Sequence, residues 1–340
     1  MDTNFAALQP LLDQAIALRL DPNNASHRNL NGSSHEEAFR LFNGFYEGFP
    51  DLVLDIYGET LVVHDYSEVP HLDFVQAITN HIRSNSTLNW LRAGILKTRH
   101  GAHQKEKRGT LLFGEEPDRK IKEHGIWYTI DLTMNRDASF YLDTVNLRKW
   151  LLENVRGKSV LNTFAYTGSL GVAACAGGAS KVIQTDLNRQ FLNLAKDSYT
   201  LNGFPVEKKN FIAQDFFSVA ARFKAGKQSF DCVIIDPPFF SSTSRGKVDM
   251  EHESERLINK VRPLINDGGT LIAINNAVFV SGKEYMLTLE KLCKDGYLSI
   301  HELISIPEDF IGMKRVNTPI TDPAPFNHST KIAVLDVRRK

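Results

Sequence analysis

The stretch best equipped for chemistry is Asp236-Pro237-Pro238-Phe239-Phe240, which follows an apolar run at 231–235. Consecutive prolines donate no main-chain hydrogen bonds and hold φ at about −65°, so the turn is stiff and its carbonyls stay available as acceptors. A planar base bearing an exocyclic amine would donate to the Asp236 carboxylate and the Pro237 carbonyl. Its ring would stack on Phe239, a contact worth about 1–3 kcal/mol per base. Asp236, Pro237, Pro238 and Phe239 are therefore the candidate catalytic residues. Taken alone, the motif is also what a strand-ending turn with core aromatics looks like.

Three elements upstream must position it. Residues 159–161 read as a short strand that breaks at Asn162 into Asn162-Thr163-Phe164-Ala165-Tyr166-Thr167-Gly168 and then a helix rich in Ala and Gly. Such a loop, at the carboxyl end of a parallel strand, turns main-chain amides and a helix N-terminus toward a ligand; an ordinary strand-to-helix connection is the alternative. The strand at 181–184 leads to Asp186, Leu187 and Asn188. Asp186 stands where an open α/β fold places an acidic residue on ribose hydroxyls, and a carboxylate can accept both. A third strand, 211–213, ends in Gln214-Asp215-Phe216, where Asp215 would accept from an adenine amine and Phe216 lie against the ring.

The loop lacks GxGxxG, so a pyrophosphate is not the expected guest. Phe164 and Tyr166 would enclose a smaller zwitterionic nucleoside, such as S-adenosylmethionine. The expected cofactor contacts are Asn162, Phe164, Tyr166, Thr167, Gly168, Asp186, Leu187, Asn188, Asp215 and Phe216, with Asp236 bordering both sites. Helices over 189–202 and 251–265 complete the alternation of a doubly wound sheet, and Gly268-Gly269 turns into a fifth strand at 270–274.

Over residues 36–340 these stretches resemble the class I S-adenosylmethionine-dependent methyltransferases, and within them the large-subunit ribosomal RNA methyltransferases related to the cytosine carbon-5 enzymes. Residues 38–65, AFRLFNGFYEGFPDLVLDIYGETLVVHD, are similar to the family's small domain ahead of the catalytic one. Phe140-Tyr141-Leu142-Asp143 is similar to its aromatic-Leu-Asp segment, although Thr144-Val145 replace the usual Gln-Arg. Carbon-5 enzymes of the family carry a Cys after the fifth strand, because that carbon becomes nucleophilic only after a thiolate adds to the ring. Here 274–277 reads Ile-Asn-Asn-Ala, with Asn276 in the place of the Cys. Cys175, Cys232 and Cys293 read as small buried hydrophobes in a helix, a strand and a later helix.

The resemblance implies an α/β chain: a Rossmann-like class I methyltransferase doubly wound sheet with a smaller N-terminal α/β domain. It implies S-adenosylmethionine as cofactor and RNA, ribosomal, as partner, with the chain a monomer or homodimer. Asn276 turns the expected acceptor from carbon 5 to a base nitrogen, whose lone pair needs orientation but no covalent catalyst. The alternatives are an idle RNA-binding or assembly factor on the same fold, and methylation of a non-RNA acceptor. A nicotinamide oxidoreductase would need the dinucleotide loop that is missing.

With 340 residues, 42% of them hydrophobic, the chain can bury two cores. The expected division is a helix and linker over 1–35, a small α/β domain over 36–125 with possible RNA contact, and the methyltransferase domain over 126–340. In the first piece Phe5, Leu8, Leu11, Leu12, Ala15, Ile16 and Leu18 make an apolar helical face, too short for an extra RNA-binding domain, and 21–34 reads as a linker. In the second, strands at 52–56 and 60–64 form a hairpin, followed by a helix near 71–84; 126–132 is extended.

No leader and no apolar run of spanning length is visible, so the expected compartment is the cytoplasm, without a membrane. Forty basic residues balance forty acidic ones, so any RNA affinity must be local. The basic run 97–108, KTRHGAHQKEKR, is one candidate; Arg245 and Lys247, in a polar loop over 241–250, are others. His100 and His103 have no third ligand, and no metal is expected.

Overall fold

The computed structural model describes residues 5–20, 35–69, 71–311 and 322–339. Two compact units share the chain. One runs to Leu142 and includes the segment from Pro307; the other holds Asp143–Ile306 and the C-terminal strand.

In the first unit, β1 (Ala38–Asn43), β2 (Leu52–Tyr57), β3 (Thr60–Asp65), β4 (Ala93–Thr98) and β5 (Thr110–Phe113) form one sheet in chain order. The β2–β3 hairpin sets Tyr57 opposite Thr60, with Gly58 in the turn at φ 61°. β3 and β4 are parallel, a pairing that needs a crossover. The helix Leu72–Ser84 supplies it and buries Val75, Ile78 and Ile82, a stripe at helical spacing.

The helix Phe5–Leu20 buries Leu8, Leu12, Ala15 and Ile16 in the core that also holds Leu41, Leu54 and Ile56. Buried Arg19 grips the Glu47 carboxylate with two bonds of 2.8 and 2.9 Å. This helix is thus built into the unit's core and is no separate piece, while the linker expected at 21–34 lies outside the described residues. β6 (Lys120–Glu123) and β7 (Ile126–Thr129) pair as a hairpin. The Lys122 amide donates to the Glu36 carbonyl at 2.7 Å, and the Tyr57 hydroxyl donates to the Phe140 carbonyl at 2.9 Å. These bonds draw residues 126–142, expected in the second domain, into the first, and the division falls after Leu142.

The second unit contains β8 (Ser159–Thr163), β9 (Lys181–Asp186), β10 (Phe211–Ala213), β11 (Phe230–Ile235), β12 (Phe240–Thr243), β13 (Gly246–Asp249), β14 (Ile265–Asn275), β15 (Leu298–Ile304) and β16 (Lys331–Val337). Seven of them form a sheet in the order β10-β9-β8-β11-β14-β16-β15, and β12 pairs with β13 alone. The first five are parallel; β16 runs antiparallel to both its neighbours. The helices Phe216–Ala225, Ser254–Val261 and Gly282–Cys293 pack on Leu161, Val233, Leu271 and Leu335. The alternate residues Val160, Cys232, Ile234 and Ile272 are buried as well, so the central strands are covered on both faces and read as continuous apolar runs.

Chain order reverses between β8 and β11, and an open α/β sheet leaves a ligand crevice outside the strand ends at such a point. Thr163 lies opposite both Thr185 and Ile235, so the loops after β8, β9 and β11 start level with one another.

Candidate active site

Left-handed backbone marks the loop after β8. Phe164, Tyr166 and Gly168 have φ of 54°, 52° and 79°. For the two aromatics this conformation costs free energy that surrounding contacts must offset. The contacts are visible: the Ala165 amide donates to the Thr185 carbonyl at 2.9 Å, and the Tyr166 amide to Asp186 Oδ2 at 2.8 Å. The Asn188 amide reaches Asp186 Oδ1, also at 2.8 Å. Asp186 therefore holds the loops after β8 and β9 together and still has lone pairs for a ligand. Burial pushes its carboxyl up, against the main-chain donors Asn188, Tyr166 and Leu187. Beside it Leu187 is 65% exposed, while the Asn188 side chain caps the next helix by accepting from the Gln190 amide.

Other expected contacts turn out differently. Asn162 is buried beneath the loop, where Nδ2 faces Gln184 Oε1 at 3.3 Å, so it props the site from below. Thr167 is buried too. The Ala165, Tyr166 and Gly168 amides, expected to meet a ligand, donate within the fold instead. Asp215 caps the helix Phe216–Ala225 through the Ser218 amide at 3.1 Å, and its Oδ2 accepts from the Thr243 hydroxyl at 2.8 Å. Phe216 is buried and stacks on Phe164 with ring centroids 4.5 Å apart.

Asp236 emerges from β11 half-buried, and no donor among the described residues reaches its carboxylate. Burial, and after it the negative charge of Asp143, push it up to about 7. Asp143 itself accepts from the Thr330 hydroxyl at 2.6 Å. Pro237 is buried, and its carbonyl already accepts from Asn276 Nδ2 at 3.1 Å, leaving one lone pair for another donor. Pro238 and Phe239 are exposed, and the Phe239 ring meets Phe279 edge-on, centroids 6.1 Å apart.

The sequence reading missed three of these participants. Phe279, 74% exposed beyond β14, has an aromatic side chain as its only signal. Asn276 was seen as a missing Cys and not as a donor. Thr243 belongs to the β12–β13 hairpin, which replaces the polar loop expected over 241–250; Lys247 there is paired with Asp249 at 2.7 Å. None of the three thiols lies in the loops after β8, β9, β11 or β14: Cys175 is in the helix Ser169–Ala176, Cys293 ends the helix Gly282–Cys293, and Cys232 is sealed inside β11, where burial pushes it up to about 12; burial also raises Cys175 and Cys293.

The S-adenosylmethionine-dependent methyltransferase family model matches residues 39–315. The chain belongs to that family. It is 31% identical over 277 residues to ribosomal RNA large subunit methyltransferase K/L of Colwellia psychrerythraea, across 78% of this chain and 37% of that protein. With ribosomal RNA large subunit methyltransferase I of Aliivibrio fischeri it shares 28% over 275 residues, 80% of this chain and 68% of the relative. The structure of SMU.776 complexed with SAH superposes with a TM-score of 0.80 at 23% identity, covering 99% of this chain and 83% of that one. The cofactor is therefore S-adenosylmethionine, and the donor set fits it: a carboxylate with free lone pairs after β9, an exposed Leu187 and an aromatic loop after β8. Among the described residues no helix is long and apolar enough to cross a membrane.

Proposed function

We propose that this methyltransferase modifies a base of ribosomal RNA in the cytoplasm, at a nitrogen in preference to cytosine carbon 5. The observation that carries the choice of atom is Asn276 bonded to the Pro237 carbonyl, with no thiol placed at the crevice. An amide cannot add to a pyrimidine ring, whereas a nitrogen acceptor needs only to be held. The ribosomal acceptor is supported by the names of the two relatives, of which the chain spans 37% and 68%.

In this reading Asp186 accepts from the ribose hydroxyls of the cofactor, Leu187 and Asn188 line the same edge, and Phe164, Tyr166, Thr167 and Gly168 shape the pocket for its methionine end. Asn162 and Phe216 support that loop from below, and Asp215 borders the adenine. Bound there, the cofactor supplies an electrophilic methyl group. Asp236 accepts a hydrogen bond from the amine of the base, the Pro237 carbonyl offers its remaining lone pair, and Phe239 stacks on the ring, with Pro238 keeping the turn stiff.

The test is incubation with methyl-labelled S-adenosylmethionine and ribosomal RNA from a strain lacking the protein, followed by digestion and mass spectrometry of the labelled nucleoside. Label on a base nitrogen is expected. Label at cytosine carbon 5 would overturn the choice of atom, and no label despite cofactor binding would overturn the choice of acceptor.

A further inference from the structure

The basic run 97–108 is split by the fold into one structural cation and several presented ones. Lys97, on β4, is buried, and its ammonium donates to three main-chain carbonyls: Arg108, Asn135 at 2.9 Å and Asp137 at 3.3 Å. Three donors meet three acceptors, so Lys97 has nothing left for a phosphate. The carbonyls it grips belong to the neighbours of two other cations, since Arg108 follows Lys107 while Asn135 and Asp137 bracket Arg136. Lys97 thereby staples two separate stretches to β4. One small cavity of the N-terminal unit is lined by Lys107, Arg136, Arg99, Tyr66 and His64, along with Lys97 itself.

The charges around this cavity are poorly balanced. Arg99, 45% exposed, meets Asp137 only at 3.9 Å, and among the described residues no carboxylate lies within ion-pair distance of Lys107 or Arg136. Asp65, the acid in the lining, accepts from the Ser67 amide at 2.9 Å. Arg99, Lys107 and Arg136 outnumber the two carboxylates beside them, Asp65 and Asp137, so the rim keeps a net positive charge that attracts an anion. Aromatics stand alongside: the Arg99 guanidinium lies 5.8 Å from the Tyr66 ring centroid, and Phe45, 48% exposed, meets Tyr66 edge-on at 5.3 Å. A basic concavity beside an exposed ring is the footprint of a single-stranded nucleic acid.

We infer that the basic rim of this small cavity is a phosphate subsite for single-stranded RNA, in which Arg99, Lys107 and Arg136 take phosphodiester oxygens and Phe45 stacks the neighbouring base. The inference rests on the ribosomal RNA reading above and adds a holding point outside the methyl-transfer crevice.

Binding of a fluorescent single-stranded oligoribonucleotide to the full chain, followed by anisotropy across a salt series, tests it. With Arg99, Lys107 and Arg136 all changed to Gln, the slope of log K against log salt should fall by about 2, at about 0.7 for each phosphate that is no longer neutralised. Cofactor affinity by calorimetry should stay at the wild-type value, and a circular-dichroism spectrum and thermal melt matching the wild type establish that the altered unit is folded. Phe45→Ala should weaken binding with the slope unchanged. Wild-type affinity and slope in the triple variant would overturn the subsite while leaving the RNA reading intact. A wild-type chain that binds cofactor but no RNA would overturn both. Equal competition by a polyglutamate peptide, with Phe45→Ala silent, would overturn it in favour of an acidic protein partner.

Discussion

Asn276 donates from Nδ2 to the Pro237 carbonyl at 3.1 Å, while its own Oδ1 lies buried with no hydrogen-bond partner. The bond ties the loop after β14 to the turn after β11 and fixes one of the two lone pairs that the proline turn offers. The orphan Oδ1 is a buried acceptor beside the position proposed for an amine, and a buried acceptor left unpaired costs about 1–3 kcal/mol. A donor from the acceptor base would relieve it.

Asn276→Ala should therefore lower kcat/KM for the RNA by up to about tenfold, the scale of one neutral hydrogen bond of about 0.5–1.5 kcal/mol. Cofactor affinity should not change. Asn276→Cys should leave the methylated atom where it is, because one thiol without the rest of an addition site does not redirect the chemistry. Nucleoside mass spectrometry reads both variants, and carbon-5 product from Asn276→Cys would show that the nitrogen preference rests on this residue alone.

Asp236 gives opposite pH dependences for stability and activity. Its carboxyl is raised from 3.8 to about 7 by burial and by Asp143, so between those values the folded chain holds a proton that the unfolded chain has released. Stability should then fall as pH rises through that window and level off above about 7. Activity should rise through about 7, because the ionised carboxylate is the stronger acceptor for an amine hydrogen. Asp236→Asn should abolish both dependences in thermal melts and in kcat/KM profiles. A wild-type profile flat from about pH 6 to 8 would count against Asp236 as the acceptor.

Asp186→Ala should weaken S-adenosylmethionine binding at least about tenfold and lower the melting temperature. Its main-chain donors, Tyr166 and Asn188 among them, lose their acceptor, at about 1–3 kcal/mol for each one left unsatisfied. Asp236→Ala should leave cofactor affinity near wild type while removing turnover. Calorimetry on both variants separates the roles, and unchanged affinity in Asp186→Ala would sink the ribose assignment.

Much of this site was legible because its strands are buried on both faces. DCVII before Asp236 and KVIQ ahead of Asp186 read as strands in the right places, the second running two residues further, to Asp186 itself. The loops were legible only as locations. That Asn162 points into the interior while Asp186 serves as a hydrogen-bond hub depends on which side chain faces Gln184, and no periodicity encodes that. Asn276 and Pro237 lie 39 residues apart and meet only because β14 lies beside β11. The β12–β13 hairpin escaped notice because FSST and GKVD are short and largely polar, lacking the alternation that marks a half-buried strand. The first unit was drawn too short because β7 has only four residues and its membership is set by backbone bonds on either side of it.

Gly168 carries the last prediction. Its φ of 79° is left-handed, and a Cβ built there would lie 2.5 Å from the Ala195 Cβ and 2.6 Å from Gln184 Oε1. Gly168→Ala thus meets two separable penalties. The backbone conformation costs an L-residue about 1–2 kcal/mol, and the overlap with a packed neighbour adds about 1–3 kcal/mol. The melting temperature should fall, and S-adenosylmethionine affinity with it, because the loop between Phe164 and the following helix must shift. Adding Ala195→Gly removes one overlapping atom but not the conformational cost, so the double variant should recover part of the stability. Full recovery would show that the left-handed backbone carries no cost here. No recovery would leave Gln184, which also crowds Gly171 at 2.3 Å, as the contact that dictates glycine at this turn.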